Sequence, residues 1–131
     1  LFDGTVELIS DLHDRGFLLA VATGKSRNGL DRALGFSGLG RYFHATRCAD
    51  ECFSKPHPAM LHELMDELGV VAESCLMIGD TTHDLLMAKN AGVAGLAVSF
   101  GAHPVDQLEA EAPLACVHTP TELRAWLAAN A

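Results

Sequence analysis

Four side chains in this sequence have the types and the spacing to handle a phosphate group. Thr23 ends the apolar run "FLLAVAT" and is followed by Gly24, Lys25 and Ser26. A threonine hydroxyl there can donate to a phosphoryl oxygen. Gly24 lets a backbone N–H approach closely, and a helix that follows adds its N-terminal partial charge. The same threonine could instead do no more than cap that helix. Asp80 and Asp84 stand in "GDTTHD", directly after the apolar run "CLMIGD". Hard carboxylate oxygens in a loop at a strand end suit Mg²⁺, which takes one or two carboxylates along with water and substrate phosphate. Asp80 is placed as the direct ligand. Asp84 is a second ligand, an outer-sphere partner, or the cap of the helix that carries Leu85 and Leu86. Lys55, in the loop "SKPHP", lies between these two strand ends. Its ammonium would offset the repulsion between carboxylates and phosphate, unless it is an ordinary solvated lysine.

The elements that must position these residues follow from periodicity. A helical stripe runs over 6–15 and closes at Gly16. The continuous apolar run over 17–23 reads as a strand buried on both faces. A helix over about 26–34 and a short strand around "FHATRCA" come next. The prolines of "SKPHP" resist helix until Pro58 can begin one. That helix carries Met60, Leu61, Leu64, Met65 and Leu68 and ends at Gly69. Residues 75–80 read as a second buried strand, "HDLLMAKNAG" as a helix ending at Gly92, and "GLAVSFG" as a third strand. Thr119, Pro120 and Glu122 form a capping-box pattern that opens a final helix through Leu123, Trp126 and Leu127. Strands alternating with helices predict an α/β fold, a Rossmann-like parallel sheet flanked by helices, with ligands bound outside the carboxyl ends of the strands.

The chain has 131 residues, 49% of them hydrophobic and 20% charged. That is the size and mix of one domain, so 1–131 is read as a single core domain. A net charge of -8 with no basic stripe argues against nucleic acid and against an anionic membrane surface. No apolar run approaches bilayer-spanning length, and no basic start precedes one as in a secretory signal. Cys48, Cys52, Cys75 and Cys116 make no C-x-x-C pair. Cys75 and Cys116 sit in apolar runs as small buried hydrophobes. Free thiols without a disulfide pattern point to a reducing cytoplasm. A zinc site from Cys48, Cys52 and His57 is the lesser reading.

A threonine after one buried strand, a "KPHP" loop, and a second buried strand ending in "GDTTHD" occur here in a distinctive order. That order resembles the haloacid dehalogenase superfamily of aspartate-nucleophile phosphohydrolases. The "KPHP" loop and the "AKNAGV" segment look most like its phosphoglycolate phosphatase group. The resemblance covers essentially the whole chain. It implies Mg²⁺ as cofactor and a small phosphorylated metabolite, phosphoglycolate-like, as substrate. It also implies a two-step reaction. One aspartate attacks phosphorus and forms an aspartyl-phosphate. A second, two residues later, protonates the leaving oxygen and then activates water, while Mg²⁺ neutralises charge. By resemblance, Thr23 and the Gly24 amide bind the phosphoryl oxygens, Lys55 holds phosphate and nucleophile, and Asp80 with Asp84 organises the metal.

The superfamily's first motif is an apolar strand followed by Asp-x-Asp-Gly-Thr. The chain opens on "LFDGT", which puts Leu1 where the nucleophile belongs and Asp3 at the acid/base. Leucine cannot attack phosphorus, and no apolar strand stands before it. The register that fits better resembles the family segment returning from a cap domain into the core. Gly4 and Thr5 then enter a helix, with Asp3 or Thr5 as its N-cap. The expectation is therefore the C-terminal part of a longer core, with the first strand, both catalytic aspartates and a helical cap lying upstream. Alone it should be inactive and poorly stable, because neighbours of a missing central strand have unpaired backbone groups and an open core face. Two rival functions share these motifs: a sugar-phosphate mutase of the same superfamily, and a non-catalytic phosphate- or Mg²⁺-binding module. A phospho-receiver domain fits poorly, because receivers carry their acidic pair before the lysine. His57 and His83 are read as partly exposed loop residues near the pocket, His103 as a loop residue beyond the third strand, and Trp126 as core.

Overall fold

The computed structural model describes residues 5–53, 55, 57–99 and 104–130. The expectations for Leu1, Asp3, Gly4, Pro56 and His103 lie outside the described residues. In chain order the elements are α1 (Thr5–Asp14), β1 (Ala20–Ala22), α2 (Arg27–Ser37), β2 (Ala45–Arg47), α3 (Ala59–Leu68) and β3 (Leu76–Gly79). After these come α4 (Thr82–Ala91), β4 (Ala94–Val98), α5 (Val105–Glu109), β5 (Cys116–Val117) and α6 (Pro120–Asn130). The alternation gives the expected α/β architecture. β1 pairs with β2 in parallel, from Ala20↔Ala45 to Ala22↔Arg47. β3 pairs with β4, and β4 with β5, also in parallel.

Helices cover both faces, and the side-chain alternation of β4 shows how. Gly95 and Ala97 face α4, where a Cβ added at Gly95 would stand 3.2 Å from the end of the Leu85 side chain, a tight contact. Leu96 and Val98 point the other way, into a core with Leu8 and Leu12 of α1 and Leu123 and Leu127 of α6. On the α4 side, Met60, Leu61 and Leu64 of α3 pack with Met87 and Ala88. These are the i, i+1, i+4 positions of the predicted stripe. α4 stops at Gly92, whose φ of 75° places it in the left-handed region and whose N–H closes the last turn on Ala88 and Lys89.

Three expectations are corrected. α2 runs to Ser37 rather than Leu34, and ends where Gly38 supplies a left-handed cap bonded to Leu34 O. In the α6 capping pattern Thr119 Oγ1 accepts from the Glu122 N–H, but the Glu122 carboxylate accepts from the His118 N–H, one residue early for a closed box. The largest correction concerns the two strands expected to be buried on both faces. In the 17–23 run only Ala20–Ala22 is strand, Ala20 is exposed and Leu18 is 51% exposed; Ile78 of β3 is 37% exposed. The cause is topological. The described strands form two groups, β1–β2 and β3–β4–β5, so β1 and β3 each have a partner on one edge only. Between them lies an apolar slot of about 640 Å³, walled by Leu18, Ala20 and Ala22 on one side and Leu76 and Ile78 on the other, with Trp126 half-buried along it. Cys75 and Cys116 are likewise half-buried; the fully buried thiol is Cys48.

Candidate active site

The carboxyl ends of β1 and β3 point to the same place. A cavity of about 290 Å³ opens there, lined by Thr23, Lys55, Asp80 and Asp84, and it shares Ala22, Met77 and Ile78 with the apolar slot. Four of the five residues singled out from the sequence therefore meet around one space. The fifth, Gly24, is exposed beside it and does not line it; a Cβ added at Gly24 would meet nothing within 4 Å. The backbone there has open space for a ligand to approach.

Thr23 leaves β1 with its N–H donated to Arg47 O of β2, 3.1 Å away. Its Oγ1 accepts from the Lys25 N–H at 3.1 Å. It does not cap α2; Ser26 does, its Oγ accepting from the Gly29 N–H. With a lone pair taken by Lys25, the Thr23 hydroxyl keeps its hydrogen to donate.

At β3 the chain turns sharply through Gly79. A Cβ there would lie 2.3 Å from Asp84 Cβ and 2.9 Å from Asp84 Oδ2, so only glycine lets Asp84 fold back over the strand end. Asp84 is 3% exposed, and such a buried carboxylate demands full pairing. One oxygen, Oδ1, is ion-paired with the Lys55 ammonium. The other, Oδ2, accepts from the Thr81 N–H at 3.2 Å and the Thr81 hydroxyl at 3.0 Å, while Asp84 N–H donates to Thr81 Oγ1. Asp84 is thus the third helical residue of a closed capping box on α4 and the anchor of the lysine at once. Lys55 is not a solvated surface lysine: its side chain is 18% exposed. Asp80 differs from Asp84. It is half-buried on the cavity wall, and among the described residues no hydrogen bond or ion pair ties its carboxylate.

The two histidines read as partly exposed loop residues are both exposed. His57 lies in the loop before α3, its Nδ1 accepts from the Ala59 N–H and its ring packs against Phe53; His83 lies in the first turn of α4 rather than in a loop. Neither lines the cavity. Among the described residues no group of three His, Cys, Asp or Glu side chains is placed to hold a metal, so Cys48, Cys52 and His57 form no such cluster.

Sequence reasoning missed the network behind Thr23. Arg27, the first residue of α2, grips Glu51 with Nε (3.0 Å) and Nη2 (2.7 Å), and its Nη1 reaches Thr46 Oγ1 and Asp31. The guanidinium holds the Glu51 carboxyl below the usual carboxylate range. The Arg27 N–H is shared between both oxygens of Asp50. These contacts join loops after different strands, which periodicity cannot register. The Thr81–Asp84 box, by contrast, had a readable signal in the spacing of threonine and acid three residues apart.

A profile of the haloacid dehalogenase-like hydrolases matches residues 1–98. A probable phosphatase, IndB, of Dickeya dadantii is 44% identical over 124 residues, covering 94% of this chain and 54% of the relative. A phosphoglycolate phosphatase of Colwellia psychrerythraea is 35% identical over 124 residues, covering 94% and 55%. The chain therefore spans about half the length of these curated relatives. A crystal structure of a predicted phosphoglycolate phosphatase from Haemophilus somnus superposes with a TM-score of 0.90 at 23% identity, over 97% of this chain and 57% of that one, which shows a shared fold.

Proposed function

The chain belongs to the haloacid dehalogenase-like hydrolases, and from that premise we propose that it is the phosphate- and Mg²⁺-binding part of a phosphatase core acting on a small, phosphoglycolate-like phosphate monoester. The observation that carries this reading is the convergence of Thr23, Lys55, Asp80 and Asp84 on one cavity at the mouth of the apolar slot. The nucleophile comes from outside the chain, on a strand seated in that slot between β1 and β3. Such a strand would deliver its carboxyl end to the cavity that holds Thr23 and Lys55.

Each residue then has a task. The Thr23 hydroxyl and the Gly24 N–H donate to phosphoryl oxygens, and the Lys55 ammonium offsets the charge of phosphate and nucleophile. Asp84 aims Lys55 by pairing with it. Asp80 fits a Mg²⁺ site by the chemistry of its donors: an untied, half-buried carboxylate on the wall of the cavity that Thr23 and Lys55 also line. Asp84, engaged by Lys55 and Thr81, acts from the outer sphere. Bound Mg²⁺ would supply charge neutralisation and alignment of the transferring group. The aspartyl-phosphate formed by the incoming nucleophile is then hydrolysed by water. The four free cysteines support a reducing cytoplasm as the setting.

The test is phosphate release from an aryl phosphate, with and without Mg²⁺, by the full-length protein and by these 131 residues alone. The full-length protein should turn over, Asp80→Asn should abolish it, and the isolated chain should be inert. Turnover by the isolated chain that Asp80→Asn abolishes would refute the external nucleophile. A full-length protein that binds phosphate and releases none from any small monoester would be a non-catalytic binding module instead.

A further inference from the structure

We infer that the Arg27–Glu51 pair is a positioning clamp that sets the Thr23–Gly24 loop against the Lys55 turn. This rests on the phosphatase reading above, because it assigns the pair a part in the same phosphate cradle.

The cradle has two halves that come from different places. Thr23 and Gly24 lie in the loop after β1; Lys55 lies in the turn that follows β2. Lys55 is held to α4 by Asp84, but that contact does nothing to hold the Thr23 loop. Among the described residues the ties across the two loops are few and concentrated. Ala49 N–H donates to Lys25 O at 3.0 Å. Arg27 N–H donates to the Asp50 carboxylate. Arg27 grips Glu51 with two parallel N–H bonds, and the same Glu51 oxygen that takes Nη2 also accepts from the Cys48 N–H at 2.9 Å. Glu51 thus binds its own loop and the neighbouring one together, four residues before Lys55. The guanidinium's remaining donors go to Asp31, to Thr46 Oγ1 and to Thr46 O, so all five are used. A planar fork held on every side fixes direction as well as distance, which a lysine ammonium cannot do.

Burial separates positioning from stability. Both side chains of the pair are 34% exposed, and exposed ion pairs contribute little to folding. A displacement of about 1 Å in a catalytic group, however, costs about 100-fold in rate. The clamp should therefore register in kinetics far more than in melting temperature.

The experiment uses the full-length protein and four measurements: kcat, KM for an aryl phosphate, the affinity for inorganic phosphate by calorimetry, and Tm. Arg27→Lys keeps the charge and loses the fork; Glu51→Gln keeps the shape and loses the charge. Each should lower kcat/KM about tenfold or more and weaken phosphate binding, with Tm near wild type. Arg124→Gln, which removes an exposed contact to Asp11 between α6 and α1, should move none of the four. Variants that lower Tm but keep kcat/KM and phosphate affinity within twofold would overturn the clamp. A wild type that binds phosphate without hydrolysing it, while both variants bind it more weakly, would keep the clamp and refute the phosphatase. Unchanged phosphate affinity in that same inactive protein would refute both.

Discussion

Removing the Asp84 carboxylate is the perturbation whose outcome the geometry specifies most closely. Asp84→Ala deletes two things. The first is the capping box on α4, a loss of about 1 kcal/mol. The second is the partner of Lys55. Breaking a buried pair by removing one member costs about 3–5 kcal/mol, because the other charge stays uncompensated. Asp84 is buried, but Lys55 retains 18% exposure, so its stranded ammonium can draw on some water and the cost falls at the lower end. The total is about 4 kcal/mol for alanine. Asp84→Asn keeps an oxygen for the Thr81 N–H but turns an amide NH2 toward Lys55, losing the charge and one acceptor while sparing the cap, so about 3 kcal/mol is expected. Urea denaturation of the full-length protein measures both, and the alanine variant should melt about 10–15 °C lower. Lys55→Met added to Asp84→Asn should lose less than the sum of the two single changes, because the second removes the charge that the first strands. A loss below about 1 kcal/mol for Asp84→Ala, or strict additivity with Lys55→Met, would refute the claim that this pair anchors the site.

Gly79→Ala would press its methyl into Asp84, 2.3 Å from Cβ to Cβ, and should cost about 2 kcal/mol in urea unfolding while lowering phosphatase activity. Thr23→Val keeps the volume and removes the hydroxyl donor; kcat/KM should fall about 100-fold with Tm little changed, read by steady-state kinetics. For pH, the sign follows from Glu51, whose folded-state pKa is depressed from 4.5 first of all by its hydrogen bond to Arg27. A depressed carboxyl stabilises the fold above its ordinary range and loses that contribution as pH falls through its folded value. The gap in urea midpoint between wild type and Arg27→Gln is small, because the pair is exposed; what there is of it at pH 7 should vanish as pH drops below 4.5.

What was legible in the sequence, and what was not, divides along the range of the interactions. The helix stripes, the glycine stops and the strand ends depend on neighbours within one turn or one pleat, and they stand close to where periodicity puts them. Thr23, Lys55, Asp80 and Asp84 were recoverable because each sits at a boundary between such elements. The choice between roles for Asp84 was not, because one spacing serves both a capping box and an outer-sphere carboxylate. The structure shows the box and the Lys55 pair on different oxygens of the same group. The Arg27–Glu51 contact crosses 24 positions between two loops, and nothing local marks it.

The failure of the two-face burial expectation is itself informative about the proposed reading. Residues 17–23 and 75–80 carry the uninterrupted apolar composition of central strands, yet Leu18 and Ile78 stand open on the slot between them. Such side chains are costly to leave in water, about 25 cal/mol for each Å² of apolar surface that goes uncovered. Unpaired N–H and C=O groups along two facing strand edges add to that cost. An apolar strand entering between β1 and β3 would relieve both at once: its backbone pairs with two edges and its side chains cover Leu18 and Ile78. The same strand, running parallel to its neighbours, would end at the cavity where Thr23, Lys55 and Asp80 converge. Folding and catalysis would then depend on one segment. A peptide of alternating polar residues could satisfy the edges but not the slot, and should neither raise Tm nor bind, whereas an apolar strand peptide should do both. If the polar peptide stabilised the 131-residue chain equally well, the slot would not be the seat of a buried strand.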